Sequence, residues 1–68
     1  MKNKVRELRE KLGITQKELG KRVLVSRQAI NAIETEKFDP SIRLAYSLAK
    51  LFDVPIESLF IFDEENIQ

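Results

Sequence analysis

Arg27, Gln28 and Asn31 stand within five residues of one another, with Ser26 directly ahead of them. An arginine bonds guanine O6 and N7 through two parallel N–H donors, and a glutamine or asparagine amide matches adenine N6 and N7. At helical spacing the three side chains share one face, a group suited to hydrogen bonding at base edges. Any surface helix has a polar outer face, so the group gains meaning only from what positions it. Covalent and metal chemistry has less to work with. The 68-residue chain has no histidine and no cysteine. That removes the commonest general base, the commonest side-chain metal ligand and any thiolate or disulfide. Its carboxylates fall at helix-surface spacings, with no Gly-rich phosphate loop and no paired acid site. The expectation is a protein that is not an enzyme and takes no metal, cofactor or small-molecule ligand.

The elements that would hold Arg27, Gln28 and Asn31 are marked out by caps. Val5, Leu8 and Leu12 recur at i, i+3 and i+7 among charges, which predicts an amphipathic first helix ended by Gly13. Thr15-Gln16-Lys17-Glu18 is a T-x-x-E capping box with Ile14 and Leu19 at its staple positions, so a second helix starts at Gln16 and runs to about Arg22 or Val23. Ser26 is the next N-cap, with Val25 and Ile30 as its staple. A third helix then runs from Arg27 to about Glu34 or Thr35 and buries Ile30 and Ile33. The break at Val23–Ser26 holds neither Gly nor Pro, so propensity alone would also allow one fused helix; the mid-run cap favours two. Gly20 and Ala29 are small where the two helices would cross. Asp39-Pro40 ends the following loop, and Ser41 caps a fourth helix whose apolar stripe is Ile42, Ala45, Leu48, Ala49 and Phe52. A short fifth helix opens around Pro55 with Ile56, Leu59 and Phe60. The fold class is all-α: five short helices on one core, residues 1–68 forming a single domain with a short extended C-terminal tail, 61–68.

Two helices joined by a tight turn, the second short and capped, make a helix-turn-helix over residues 16–35. The charge distribution agrees. Residues 1–37 hold ten Lys/Arg against five Asp/Glu, or +5, and residues 38–68 hold two against six, or −4, which sums to the net +1. A basic front and acidic back suit a protein that orients on a polyanion, although an uneven solvated surface looks the same. The charged first ten residues exclude a secretory signal, and no run approaches the ~20 apolar residues of a membrane span. A cytoplasmic protein with no membrane partner is expected.

The stretch Leu12-Gly13-Ile14-Thr15-Gln16-Lys17-Glu18-Leu19-Gly20, then Val25 to Glu34, then Pro40, resembles the lambda-repressor-like, or Cro/CI-type (Xre), helix-turn-helix. The likeness runs from residue 3 to about residue 60, with several motifs in order at the right spacing. It implies a sequence-specific regulator of transcription on double-stranded DNA, and implies roles for particular residues. Gln16 matches the glutamine that holds a phosphate at a helix N-terminus, a natural anion site, and Lys17 and Ser26 flank it as further phosphate contacts. Arg27, Gln28 and Asn31 fall on base-reading positions; Ala32, on another, could touch only a thymine methyl. Thr35, Lys37 and the Ser41 helix start match the loop that grips the next phosphates. Arg9 and Glu34 match a pair that ties the first helix to the end of the third. Two positions depart from the family. Leu24 stands where glycine is usual in the turn, so it is either left-handed and strained or the turn differs. Glu36 stands where glycine usually follows the third helix, so that helix is either longer or capped differently.

The resemblance also implies a two-fold dimer on a roughly palindromic operator. Phe60, Ile61 and Phe62 are too apolar for a free tail. Either they form a strand that pairs with its symmetry mate as a homodimer interface, or they fold back into the chain's own core. A repressor is the leading expectation. An antitoxin that binds its own operator and a toxin is the alternative.

Overall fold

The computed structural model describes residues 1–62 and contains five helices: α1 (Val5–Leu12), α2 (Gln16–Val23), α3 (Arg27–Glu34), α4 (Ile42–Phe52) and α5 (Ile56–Leu59). The N-terminal signals act as the sequence predicts. Thr15 Oγ1 accepts from the Glu18 amide at 3.0 Å, and Glu18 Oε1 accepts from the Thr15 amide at 3.0 Å, closing the capping box. Ser26 and Ser41 accept from the Ala29 and Leu44 amides, each at 3.1 Å. The start of α1 has no capping side chain on Lys4; Asn3 Oδ1 accepts from the Val5 amide instead. Pro55 lies one residue before the first turn of α5.

The C-terminal ends share one device. After α1, α3 and α4 a left-handed residue turns the chain so that two amides bond back to the last helical carbonyls, the Schellman arrangement. For α3 the bonds are Lys37 N to Ala32 O at 2.9 Å and Glu36 N to Ile33 O at 3.0 Å. The turn after α2 uses the same left-handed hinge at Leu24, with Val25 N reaching Gly20 O at 2.9 Å. Only the first of these four ends has glycine. Leu24 and Glu36 both sit at φ 63°, and Asp53 at 57°. The backbone is therefore left-handed at both departures from glycine. The cost of a left-handed side chain, about 1–2 kcal/mol for each, is carried rather than avoided.

Val5, Leu19, Ile30, Ile33, Leu48, Leu59 and Phe60 are fully buried, with Ile14, Ala45 and Ala49 beside them in one cluster drawn from all five helices and their flanks. The most extensive helix–helix contact is between α2 and α3. Gly20 serves it differently from the expected crossing with Ala29. A Cβ on Gly20 would lie 2.6 Å from the Val25 carbonyl oxygen, so the glycine makes room for the turn's own backbone.

Three assignments need correction. Leu12 and Ile42 carry helical apolar spacing but lie on outer faces, 51% and 77% exposed. Phe60 belongs to the core, 1% exposed, and not to a protruding tail. Its residue pairs with Asn3 in an isolated antiparallel bridge, flanked by bonds from Lys4 N to Leu59 O and from Ile61 N to Lys2 O, each 2.9 Å. Pairing with the chain's own N-terminus satisfies this backbone and lets the aromatic ring fill the core, so a partner strand is not needed at Phe60. The remainder of the expected tail, residues 63–68, lies outside the described residues.

Candidate nucleic-acid interface

The left-handed residue Leu24 ends α2, and Ser26 starts α3 within two residues of it. Ile30 and Ile33 anchor α3 to the core, which turns Arg27, Gln28 and Asn31 outward, all three exposed. Ala32 is half-buried at the margin of this face. Gln16 meets these residues across the groove between α2 and α3, where Gln16, Arg27, Gln28 and Asn31 line one shallow depression. A wider depression beside it is lined by Arg9, Thr15, Gln16, Lys17, Lys21 and Ser26, among others. Lys17 and Lys21 are one turn apart on α2 and give this hollow its positive rim. Lys21 was not singled out from the sequence, although its i, i+4 spacing from Lys17 was a usable signal.

Beneath the face runs a chain of hydrogen bonds. Arg9 grips Glu34 with two donors, Nε to Oε2 at 2.7 Å and Nη2 to Oε1 at 3.2 Å, and holds the Ile14 carbonyl with Nη1 at 2.8 Å. Gln16 Nε2 donates to Glu34 Oε1 at 3.0 Å and to Asn31 Oδ1 at 3.2 Å. The Glu34 side chain is only 3% exposed. Its hydrogen bond is the main reason the Arg9 guanidinium is held above its ordinary pKa, against the opposing effect of burial. A buried carboxylate with three donors is well satisfied, and it fixes the amide of Gln16, which in turn fixes Asn31. Gln16 thus reaches the candidate base-reading residues as well as standing at the α2 N-terminus.

The remaining candidates divide by what their polar atoms are free to do. Ser26 and Ser41 use their oxygens as caps, so each hydroxyl proton remains able to donate outward. Thr35 differs: its hydroxyl donates back to the Asn31 carbonyl at 2.9 Å and toward Ala32 O at 3.4 Å. Lys37 is exposed beyond the end of α3, away from the two depressions. Glu18 is held below the usual carboxylate range, first by the Thr15 backbone amide and then by the Thr15 hydroxyl. Among the described residues no group of His, Cys, Asp or Glu is placed to hold a metal ion, and no helix is long and apolar enough to cross a membrane. Ile61 and Phe62, the other two candidate dimer residues, are exposed.

The model of the helix-turn-helix family matches residues 5–59. The chain belongs to that family. It is of the Cro/CI type, whose members are DNA-binding regulators rather than enzymes. The chain is 49% identical over 67 residues to an uncharacterized HTH-type transcriptional regulator of Archaeoglobus fulgidus, covering 98% of this chain and 96% of that one. Similar proteins, also described as uncharacterized HTH-type transcriptional regulators, occur in Methanocaldococcus jannaschii, 48% identical, and Bacillus subtilis, 46% identical. Each match covers 97% of this chain and 100% of the relative.

Proposed function

We propose that this helix-turn-helix protein is a sequence-specific transcriptional regulator, a repressor, that lays α3 in the major groove of double-stranded DNA as a homodimer on a roughly palindromic operator. The observation that carries the reading is the meeting of Gln16 with Arg27, Gln28 and Asn31 on one exposed surface. A phosphate-competent helix N-terminus and a base-competent helix face lie side by side, the division of labour that positions a protein on a duplex and then reads it.

In this reading Arg27, Gln28, Asn31 and the Ala32 methyl contact base edges. Gln16 through its backbone amide at the start of α2, Lys17, Ser26 and Ser41 hold phosphates, as do Lys37 and, after its hydroxyl rotates away from the helix carbonyls, Thr35. Residues 1–68 act as one DNA-binding unit. The described body measures 34 × 22 × 19 Å, so two copies that touch end to end along the long axis hold their centres about 34 Å apart. That is the scale of the ~34 Å repeat that separates half-sites on one face of DNA. Repression follows from occupancy, since a bound dimer excludes other proteins from the same duplex.

Selection of bound sequences from random duplex DNA tests the reading. The expected result is a two-fold symmetric consensus, with binding that weakens steeply as salt rises. Recovery of unenriched sequence would remove the sequence-specific function.

A further inference from the structure

The dimer reading so far rests on Ile61 and Phe62, which is too little surface to hold two chains together. The outer flank of α4 supplies more. Ile42 and Tyr46 lie one helical turn apart on α4, Phe38 lies in the loop before it, and all three are exposed. The other flank of α4, at Ser47 and Leu51, faces Arg22 and Val23 at the end of α2, so Ile42 and Tyr46 lie on the side away from the helix-turn-helix contact. Two short links connect the loop before α4 to the Ile61–Phe62 segment. The Met1 ammonium meets Asp39 at 3.0 Å, next to Phe38, and Ile61 N donates to the carbonyl of Lys2, next to Met1. The first link holds the N-terminus against the loop before α4 and the second holds the Ile61 backbone against the N-terminus, and Met1, Phe38, Ile42, Tyr46, Ile61 and Phe62 are each between 40% and 77% exposed.

We infer that these residues share one side of the molecule and that this side is the homodimer interface, with the α4 flank as its centre and the Ile61–Phe62 segment as its margin. The amount of surface decides the occupant. An aromatic side chain buries about 150–250 Å² when covered. Half of three aromatics, most of Ile42 and parts of Met1 and Ile61 therefore offer on the order of 500 Å² of apolar area. That is at the upper end of what a monomer leaves bare, roughly 300–600 Å². It also matches the apolar share, about 65%, of the roughly 800 Å² that each partner contributes to a stable homodimer contact. A two-fold contact needs a surface that meets its own copy, and an apolar stripe does so without a second, complementary patch. The stripe begins in the loop that carries Thr35 and Lys37, so the copy docked on it brings both loops to the centre of the operator. The inference rests on the homodimer reading and places that contact.

Sedimentation of the full chain and of Ile42→Glu and Tyr46→Glu tests it, with circular dichroism recording the helices. The expected result is a dimer for the unaltered chain and single chains for both variants. Self-association should weaken at least about thirtyfold for each charge, as for a residue near an interface centre, while helical signal is retained. Should Ile42→Glu lose helicity, Tyr46→Ala removes apolar area without adding a charge and is expected to weaken the dimer in the same direction. Dimers that persist in the folded variants overturn this placement and leave the homodimer reading standing. An unaltered chain that sediments as a single chain, and binds its operator as one, overturns both.

Discussion

Arg9 and Glu34 are joined by two hydrogen bonds, of 2.7 and 3.2 Å, across the 25 residues that separate the middle of α1 from the last turn of α3. The pair lies under the candidate DNA face, and the Glu34 carboxylate is also an acceptor for Gln16. A buried ion pair is poor evidence of net stability, because desolvation offsets its attraction. Its value here lies in geometry: it ties the angle of α3 to α1 and fixes the amide that touches Asn31.

Removing only one partner leaves a buried charge without compensation. Arg9→Met is therefore expected to cost about 3–5 kcal/mol, a large part of the stability of so small a domain. The double variant Arg9→Met/Glu34→Leu removes both charges and should recover much of that loss. It also deprives Gln16 of its acceptor, so DNA affinity should stay low when folding returns. Thermal unfolding and DNA titration of both variants separate the two effects. An Arg9→Met protein with unchanged midpoint and affinity would show that the pair couples nothing.

Base reading and phosphate holding should respond differently to mutation. Arg27→Ala is expected to weaken the preferred site by about 1–3 kcal/mol and to relax selectivity at one position. Lys17→Ala should instead weaken all sequences nearly alike and lower the salt slope by about one. Titrations on the selected site and on a scrambled duplex, each at several salt concentrations, give the comparison. Equal losses on both duplexes for Arg27→Ala would reassign that residue to the phosphate backbone.

The left-handed residues offer a gain. Leu24 lies at φ 63° with its side chain 89% exposed, so it contributes little packing to offset the strain. Glycine removes the steric cost but adds freedom to the unfolded chain, about 0.5–1 kcal/mol in the other direction. Leu24→Gly should stabilise the protein by roughly 0.5–1 kcal/mol, which raises the midpoint by several degrees in a domain of this size. Glu36→Gly should act in the same sense. A lower midpoint for Leu24→Gly would mean that the Leu24 side chain makes a contact that outweighs its backbone strain.

Helix boundaries were legible in this sequence because they are set by local chemistry. Thr15, Ser26 and Ser41 cap through their own side chains, and each signal is complete within four residues. Facing was less legible. Ile42 has the spacing of a core residue, but burial on α4 depends on which neighbours arrive at each flank, and no local pattern contains that. Phe60 shows the same limit. Its apolar run is visible, yet its place in the core depends on pairing with Asn3, 57 positions away. In the candidate site, residue types marked Arg27, Gln28 and Asn31, and the family resemblance marked Gln16. The two bonds through which Gln16 joins Asn31 to Glu34 emerge only when α2 and α3 are set at their angle.

The capping box on α2 predicts a pH dependence. The Glu18 carboxylate accepts from the Thr15 amide, and the Thr15 hydroxyl also lowers its pKa in the folded protein. A group whose folded pKa is depressed contributes stability that is fully present above its unfolded pKa and is lost as pH falls through the folded value. For Glu18 the reference is an ordinary value of 4.5. The contribution should thus be intact at neutral pH and decline on acidification below about that value. In Glu18→Gln the amide still accepts from Thr15 but does not titrate, so the difference in midpoint between the two proteins should shrink as pH falls through the carboxylate range. Thermal unfolding of both proteins between neutral and acidic pH gives this difference directly. A difference that stays constant across that range would mean that Glu18 stabilises α2 through its shape alone and not through its charge.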